Sequence, residues 1–309
     1  MSSQIDKYPA HDRSHFYKYV SAKTAQIVLE TKQVRDSSPL AFNDPFDVQT
    51  GLHHSFDLDQ LPHRLLDRFE ELVMSSDEPH FVPNVPGSGM SRVILRAREY
   101  RPTHGFPRER WEQLAIPQLE AIAQEFKAHH KQFQDFWLDR LPRMRVFCVA
   151  EDNDNLLMWA HYAKDHSGAV LEFRVMPDID NHLCAATQVI YAAEVPTPFS
   201  ERHFLDAICG LTALQLDKLA VHYARVKSSI WSYEKEWRLY DLLDEPEDKL
   251  FSEYPIREQE LSAVYLGCQM TTDNKRDIIR LRDKSFPDAK VFEATKCIGR
   301  YGLEFRLIG

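Results

Sequence analysis

Residues Trp231–Tyr240 read W-S-Y-E-K-E-W-R-L-Y. In an extended strand, side chains alternate between the two faces with a period of two. Glu234, Glu236 and Arg238 then share one face, and Tyr233, Lys235, Trp237 and Leu239 share the other. The second face has an aromatic body and can pack on a core. The first sets two carboxylates beside a guanidinium, a row that a plain core strand does not need. One reading is an edge strand whose charges pair in water, which contributes little stability. The other is the wall of a site, where Arg238 holds one carboxylate ionised while the other meets a ligand.

The chain has 309 residues, 43% hydrophobic and 28% charged, enough for a sizeable core. A net charge of -9 argues against a surface that coats nucleic acid. No stretch approaches the ~20 apolar residues that cross a bilayer. The N-terminus lacks the apolar core of a signal peptide. A cytoplasmic protein with no membrane partner is expected. The five cysteines are scattered and form no C-x-x-C pair, so neither disulfides nor a cysteine-rich zinc site is expected. The adjacent pairs His53–His54 and His129–His130 cannot share a helix face, and no metal is expected.

Working outward, His15–Val20 is a short aromatic strand carrying Tyr17, Lys18 and Tyr19. Ser21 can cap the following helix, whose Ala25, Val28 and Leu29 face one side. Gln33–Ser37 reads as a strand. A-F-N-D-P-F-D follows at Ala41–Asp47. Pro45 keeps Asp44 out of the helical region, and Asn43 and Asp44 can bond their own backbone. This is either a turn clamped by buried Phe42 and Phe46, or a loop offering Asn43, Asp44 and Asp47 to a ligand.

Residues 57–142 have a different character. They read as a mainly helical insertion within a single α+β domain spanning 12–309. Helical spacing covers Leu61–Met74, Arg92–Tyr100 and Arg108–Asp139, with a loop at Ser75–Gly89. Arg92, Arg96, Arg98, Arg101, Arg108 and Arg110 form a basic cluster, either a solvated face or a surface for phosphates. Beyond it come a buried strand at Arg145–Ala150 and a helix at Leu156–Ala163 with Asp154 as its cap. Trp159 and Tyr162 lie on one face of that helix, and His161 points away from it. Strands are expected at Ala169–Val175 and Thr187–Tyr191. A long amphipathic helix covers Ser200–Ile230 and carries Lys227 near its end. The strand Glu234–Asp241 follows, then Leu261–Leu266, a helix at Thr271–Lys284, and strands at Ala289–Thr295 and Gly302–Leu307.

Four motifs stand out. They are F-N-D-P-F-D at Phe42–Asp47, M-W-A-H-Y-A at Met158–Ala163 with G-x-x-x-E-F at Gly168–Phe173, the run Lys227–Leu239, and V-Y-L-G-C at Val264–Cys268. In this order they resemble the bacterial family called domain of unknown function 2971, over nearly the whole chain outside the insertion.

The chain also resembles the ADP-ribosyltransferase fold in its succession of elements. That resemblance implies a split, mostly antiparallel β-sheet whose cleft binds NAD as a substrate. It implies a late-strand glutamate on the ribose 2′-hydroxyl, a role that Glu236 or Glu234 suits. Lys18 or Tyr19 would take the first-strand role, and Tyr162 or Trp159 would stack on nicotinamide. Lys227 or Arg238 would tie down the second glutamate. The activity implied is ADP-ribosyl transfer to an acceptor macromolecule or NAD glycohydrolysis, in the setting of phage defence or toxin action. Two other readings stay open. One is a nuclease holding Mg²⁺ on Asp44, Asp47, Glu234 and Glu236. The other is a non-catalytic ligand-binding module.

Overall fold

A computed structural model describes residues 11–51, 56–83, 88–197, 199–214 and 223–309. Residues 1–10, His53–His54, part of the loop at 75–89 and positions 215–222 of the expected long helix lie outside the described residues. So do the side chains of His129, His130 and Phe133.

The elements in chain order begin β1 (His15–Val20), α1 (Ala22–Thr31), β2 (Gln33–Ser37), α2 (Leu61–Met74), α3 (Ser88–His104) and α4 (Arg108–Arg140). They continue β3 (Met144–Ala150), α5 (Leu156–His161), β4 (Ala169–Arg174), β5 (Thr187–Gln188), β6 (Ile190–Ala192), α6 (Glu201–Ile208) and β7 (Val226–Ser228). The last are β8 (Glu236–Leu242), β9 (Phe251–Pro255), β10 (Leu261–Leu266), α7 (Thr272–Ser285), β11 (Lys290–Lys296) and β12 (Leu303–Leu307). Two compact units result: 1–49 with 140–194 and 225–309, and 50–139 with 195–224. The helical insertion thus has a core of its own and includes 195–224, which the sequence pattern assigns to the main domain.

The first unit is mixed α/β around an open, mostly antiparallel sheet of order β12-β11-β10-β4-β1-β3-β2-β9. On one face, α1 packs against α7 over Phe16, Leu29, Phe147, Leu171, Val264 and Phe286. Each large apolar side chain buried there contributes about 1.5–3 kcal/mol. Ser21 caps α1, its Oγ accepting from the Thr24 amide. Tyr19, Trp159, Val170 and Tyr265 cluster on the opposite face, where α5 lies.

The sheet forks at β3. One edge of that strand is covered by β8 along its length, from Met144 opposite Leu242 to Ala150 opposite Glu236. The other edge is shared, with Ser37 of β2 opposite Val146 and Tyr17 of β1 opposite Ala150. β1 and β2 therefore diverge along β3. Lys18 reaches into the fork, its Nζ donating to the Cys148 carbonyl oxygen at 2.6 Å.

The second unit packs α2, α3, α4 and α6 around Leu65, Leu66, Phe69, Ile94, Leu119 and Phe204. Three arginines of the cluster, Arg98, Arg101 and Arg108, work inside this unit, and Arg92, Arg96 and Arg110 are exposed. Arg98 donates to the Leu72 carbonyl (2.5 Å) and Arg101 to the Val73 carbonyl (2.8 Å). These are orphan acceptors at the C-terminus of α2, where cations are favoured. Arg108 pairs with Asp67 (2.6 Å) and Glu70 (2.7 Å).

Several local expectations change. Trp231–Tyr240 is not one strand: Ser229–Glu234 is a 3₁₀ turn, Lys235 takes a left-handed φ of 44°, and β8 begins at Glu236. The helix expected to run to Ile230 gives way to β7, whose Lys227 lies opposite Tyr191 of β6 in a parallel pair. Ser228 and Ser229 favour turns over helix interiors, and strand pairing decides the conformation. The expected strand at Thr187–Tyr191 is divided into β5 and β6. Asn155, not Asp154, caps α5 by accepting from the Leu157 and Met158 amides. β9, unforeseen in the sequence, pairs with β2, and its Pro255 stands at the strand's end opposite Gln33. Proline is tolerated at such edge positions.

Asp36 on β2 is 1% exposed, and neither carboxylate oxygen has a hydrogen-bond partner among the described residues. His182 Nε2 stands 4.0 Å away. Burial pushes the Asp36 carboxyl up to about 7, against the pull of Lys18. An unfolded aspartate ionises near pH ~4. Between these values the folded chain keeps a proton that the unfolded chain has released, so stability is lost as pH rises towards 7. Asp36→Asn is expected to raise stability at pH 8 and to change it little at pH 4, as measured by urea unfolding. A variant less stable than wild type at pH 8 would contradict this account.

Candidate functional site

The fork in the sheet opens into a cleft of about 400 Å³, within the first unit. That is within the size range of small-molecule sites, roughly 300–1,000 Å³. β1 contributes Tyr17, Lys18 and Tyr19, and β3 supplies Cys148 and Ala150. The loop after β2 brings Asn43 and Asp47, and α5 with the turn after it brings His161 and Tyr162. Lys227, Glu234 and Glu236 complete the wall.

A buried ion cluster forms that wall. Arg238 is fully buried on β8 and reaches two carboxylates. Its Nη1 and Nη2 donate to Asp47 at 2.9 and 2.5 Å, and its Nε and Nη2 donate to Glu236 at 2.7 and 3.0 Å. Lys227 Nζ donates to Glu234 at 2.5 Å and to Glu236 at 2.9 Å, and stands 3.6 Å from Asp47. Tyr162 donates its hydroxyl proton to Glu234 Oε1 at 2.6 Å. The backbone N–H of Glu236 donates to the Tyr191 hydroxyl at 2.8 Å.

The two glutamates differ in environment. Burial disfavours the charge of Glu236, but Arg238 and Lys227 outweigh it and hold the carboxyl well below the usual carboxylate range. Burial dominates at Glu234 and raises its proton affinity, with Lys227 opposing. Burial also works against the Lys227 charge, and Glu236, Glu234 and Asp47 overcome it, so that its pKa is raised. The sequence suggests that Arg238 or Lys227 ties down Glu234 and leaves Glu236 for the ligand. Lys227 does tie down Glu234, at 2.5 Å, but the guanidinium grips Glu236, because β8 begins there and places it two residues from Arg238 on one face. Glu234 sits on the preceding 3₁₀ turn with fewer donors.

The loop expectations divide. Asp44 fixes its turn as expected, Oδ1 accepting from the Phe46 amide at 2.9 Å. Its Oδ2 accepts from Trp231 Nε1 at 2.6 Å, so Asp44 faces Trp231 and does not line the cleft. Phe46 is 72% exposed, not buried, because the bond between Asp44 and Trp231 anchors the loop without it. Asn43 is exposed on the cleft wall, where its side chain approaches the Tyr162 hydroxyl. Asn43 is therefore not a buried turn former.

On α5, Trp159 is fully buried, with its Nε1 donating to the Asn153 carbonyl at 2.7 Å. It cannot stack on a ligand, since that face of the helix seats on the sheet. Tyr162, on the same face, lies at the cleft edge. His161 lines the cleft, and its Nδ1 lies 3.0 Å from the Tyr233 hydroxyl. Tyr19 lines the cleft and donates to the Asp152 carbonyl at 2.8 Å. Three residues that support this site were not singled out from the sequence: Trp231, Tyr191 and Cys148. Trp231 opens the decisive stretch, but its partner lies 187 positions away. Tyr191 and Cys148 carry no local signal that separates them from ordinary strand residues.

Asp47, Glu234 and Glu236, offered above as Mg²⁺ ligands, are bound to Arg238 and Lys227 instead. Among the described residues, no group of three histidine, cysteine, aspartate or glutamate side chains is arranged to hold a metal ion. No helix among them is long and apolar enough to cross a membrane.

Two outcomes are expected from variants. Arg238→Gln leaves buried carboxylates facing each other, and should cost about 3–5 kcal/mol in urea unfolding. A loss under 1 kcal/mol would mean that the cluster relaxes without its guanidinium. Asn43→Ala should change stability by less than about 0.5 kcal/mol, because the side chain is exposed. A larger loss in thermal denaturation would restore Asn43 as a structural residue.

No curated protein and no solved structure matched the chain. The family resemblance expected over most of the chain is found from α5 to β8, a stretch that carries His161, Tyr162, Lys227, Glu234, Glu236 and Arg238. There, over residues 158–239, the chain resembles the family described as protein of unknown function (DUF2971).

Proposed function

We propose that the cleft binds NAD and that the first unit breaks the bond between nicotinamide and ribose, passing ADP-ribose to an acceptor or to water. The observation that carries this reading is the pair Glu234 and Glu236 on the wall of a cleft opened by a forked sheet. An ADP-ribosyltransferase-like fold belongs to the same proposal, and the fork between β1 and β2 supports it.

The chemistry suits the groups present. Loss of nicotinamide leaves an oxocarbenium-like centre at C1′ of the ribose. Carboxylates held in place before the reaction stabilise that charge without reorganising, and hydrogen bonds to the 2-hydroxyl strengthen as it develops. Glu234 is the group assigned to the ribose, because one of its oxygens meets only the neutral Tyr162 hydroxyl, whereas Glu236 takes three bonds from the cations Arg238 and Lys227. Glu236 keeps Lys227 charged and in place. Lys18, at the fork, is placed to meet the phosphates.

The nuclease reading has less support, since Arg238 and Lys227 hold Asp47 and Glu236, and Asp44 turns to Trp231 away from the cleft. Nicotinamide release from NAD tests the proposal, with and without a bacterial lysate as the source of acceptor. Glu234→Gln keeps the shape of the side chain and removes its charge. It should lower turnover roughly a hundredfold or more while NAD still raises the melting temperature. Full turnover in this variant would move the role to Glu236. A wild-type protein that is stabilised by NAD but releases no nicotinamide would point to the binding-module reading.

A further inference from the structure

We propose that His161 is the base that takes the acceptor's proton during transfer, an inference that rests on the NAD reading above. His161 is an exposed residue at the cleft, yet its ring is held on several sides. Its Nδ1 lies 3.0 Å from the Tyr233 hydroxyl. The rings of Tyr233, Tyr162 and Trp231 stand 6.1, 6.4 and 6.5 Å away, each steeply inclined to the imidazole. These neighbours are themselves fixed. Trp231 donates to Asp44 (2.6 Å), Tyr162 donates to Glu234 (2.6 Å), and Asn155 donates to the Tyr233 carbonyl (2.5 Å). The charged groups beyond this ring of contacts are Glu234 behind Tyr162, Asp44 behind Trp231, and Lys227, whose Nζ lies 5.3 Å from the Trp231 ring centre.

An exposed histidine does not need this support for stability, whereas a catalytic base does, because proton transfer requires a fixed geometry. A phenol hydroxyl both donates and accepts, so the bond to Tyr233 admits either tautomer, and the scheme uses the one with the proton on Nδ1. With Nδ1–H donating to the Tyr233 oxygen, Nε2 carries the free lone pair. In the transfer step, the bond between C1′ and the nicotinamide nitrogen breaks and its electron pair neutralises the pyridinium. The acceptor hydroxyl, or water, forms the new C1′–O bond. Its proton passes to Nε2 and then to solvent, one proton for each NAD consumed. Tyr233 is a positioning residue in this scheme.

The test is nicotinamide release by wild type, His161→Ala, Tyr233→Phe and Glu234→Gln between pH 6 and 8, with folding checked by circular dichroism. His161→Ala should fall roughly a hundredfold or more, the lower end of what general-base catalysis contributes. Added imidazole should restore part of that loss, and more at pH 8 than at pH 6, because only the neutral ring accepts a proton. Tyr233→Phe should lose less than His161→Ala, and Glu234→Gln should not respond to imidazole. Wild-type rate in His161→Ala overturns the assignment and leaves the NAD reading standing. So does a loss that imidazole does not repair at any pH. A wild type that releases no nicotinamide under any of these conditions overturns both.

Discussion

A guanidinium with no exposure to water must keep its charge, since arginine does not release its proton in proteins. Arg238 meets that constraint by binding two carboxylates that are far apart in sequence. Asp47 comes from the loop after β2, and Glu236 from its own strand. The loop is thereby held against β8. Val48, next in the chain, sits at a φ of 65°, which a β-branched residue rarely adopts. Conformations of that kind cost about 1–3 kcal/mol and persist only where the surroundings over-determine them. The buried pairing of Asp47 with Arg238 is the adjoining restraint.

The desolvation of such a cluster is large, and well-packed apolar residues of similar volume are often at least as stabilising. Its presence is better explained by what it positions. Lys227 joins Glu234, Glu236 and Arg238's other partner, Asp47, so that a loop, a short strand, a 3₁₀ turn and a long strand meet at one point. The cation contacts fix which carboxylate oxygens face the cleft. The fork in the sheet provides the space, because β3 cannot pair with β1 and β2 over the same stretch of one edge.

The sequence disclosed the parts of this arrangement that obey local rules. Ser21 capping α1, the alternation in β1 and the apolar runs of β3 and β10 could be read directly, since capping and periodicity depend on near neighbours. The convergence of Glu234, Glu236 and Arg238 was also visible, although their conformation was not. A strand from Trp231 and a 3₁₀ turn closed by a left-handed Lys235 both bring the two glutamates to one side, and the sequence pattern does not separate them. The pairing of β6 with β7 replaced an expected helix because Val226 fits either period. Phe46 looked like an anchor by hydrophobicity alone, and the bond from Trp231 to Asp44 made such an anchor unnecessary. Long-range pairings of this kind have no local signature.

Charge counting gives the cleft its direction. Asp47, Glu234 and Glu236 bring three carboxylates to two cations, Lys227 and Arg238. Arg238 shares its charge between Asp47 and Glu236, and Lys227 shares its own mainly between Glu234 and Glu236, so one negative charge is left over the cluster, and Glu234 is the carboxylate without a guanidinium contact. That is also where burial raises proton affinity. A group in this state favours a ligand that arrives with positive charge or develops it during reaction, because such charge relieves the uncompensated carboxylate. It disfavours an anion at the same point, which would have to bind elsewhere, nearer Lys18. The cleft thus carries Lys18 at the fork and surplus negative charge at the wall. The dinucleotide proposed above would set its cationic ring at the wall and its phosphates towards Lys18.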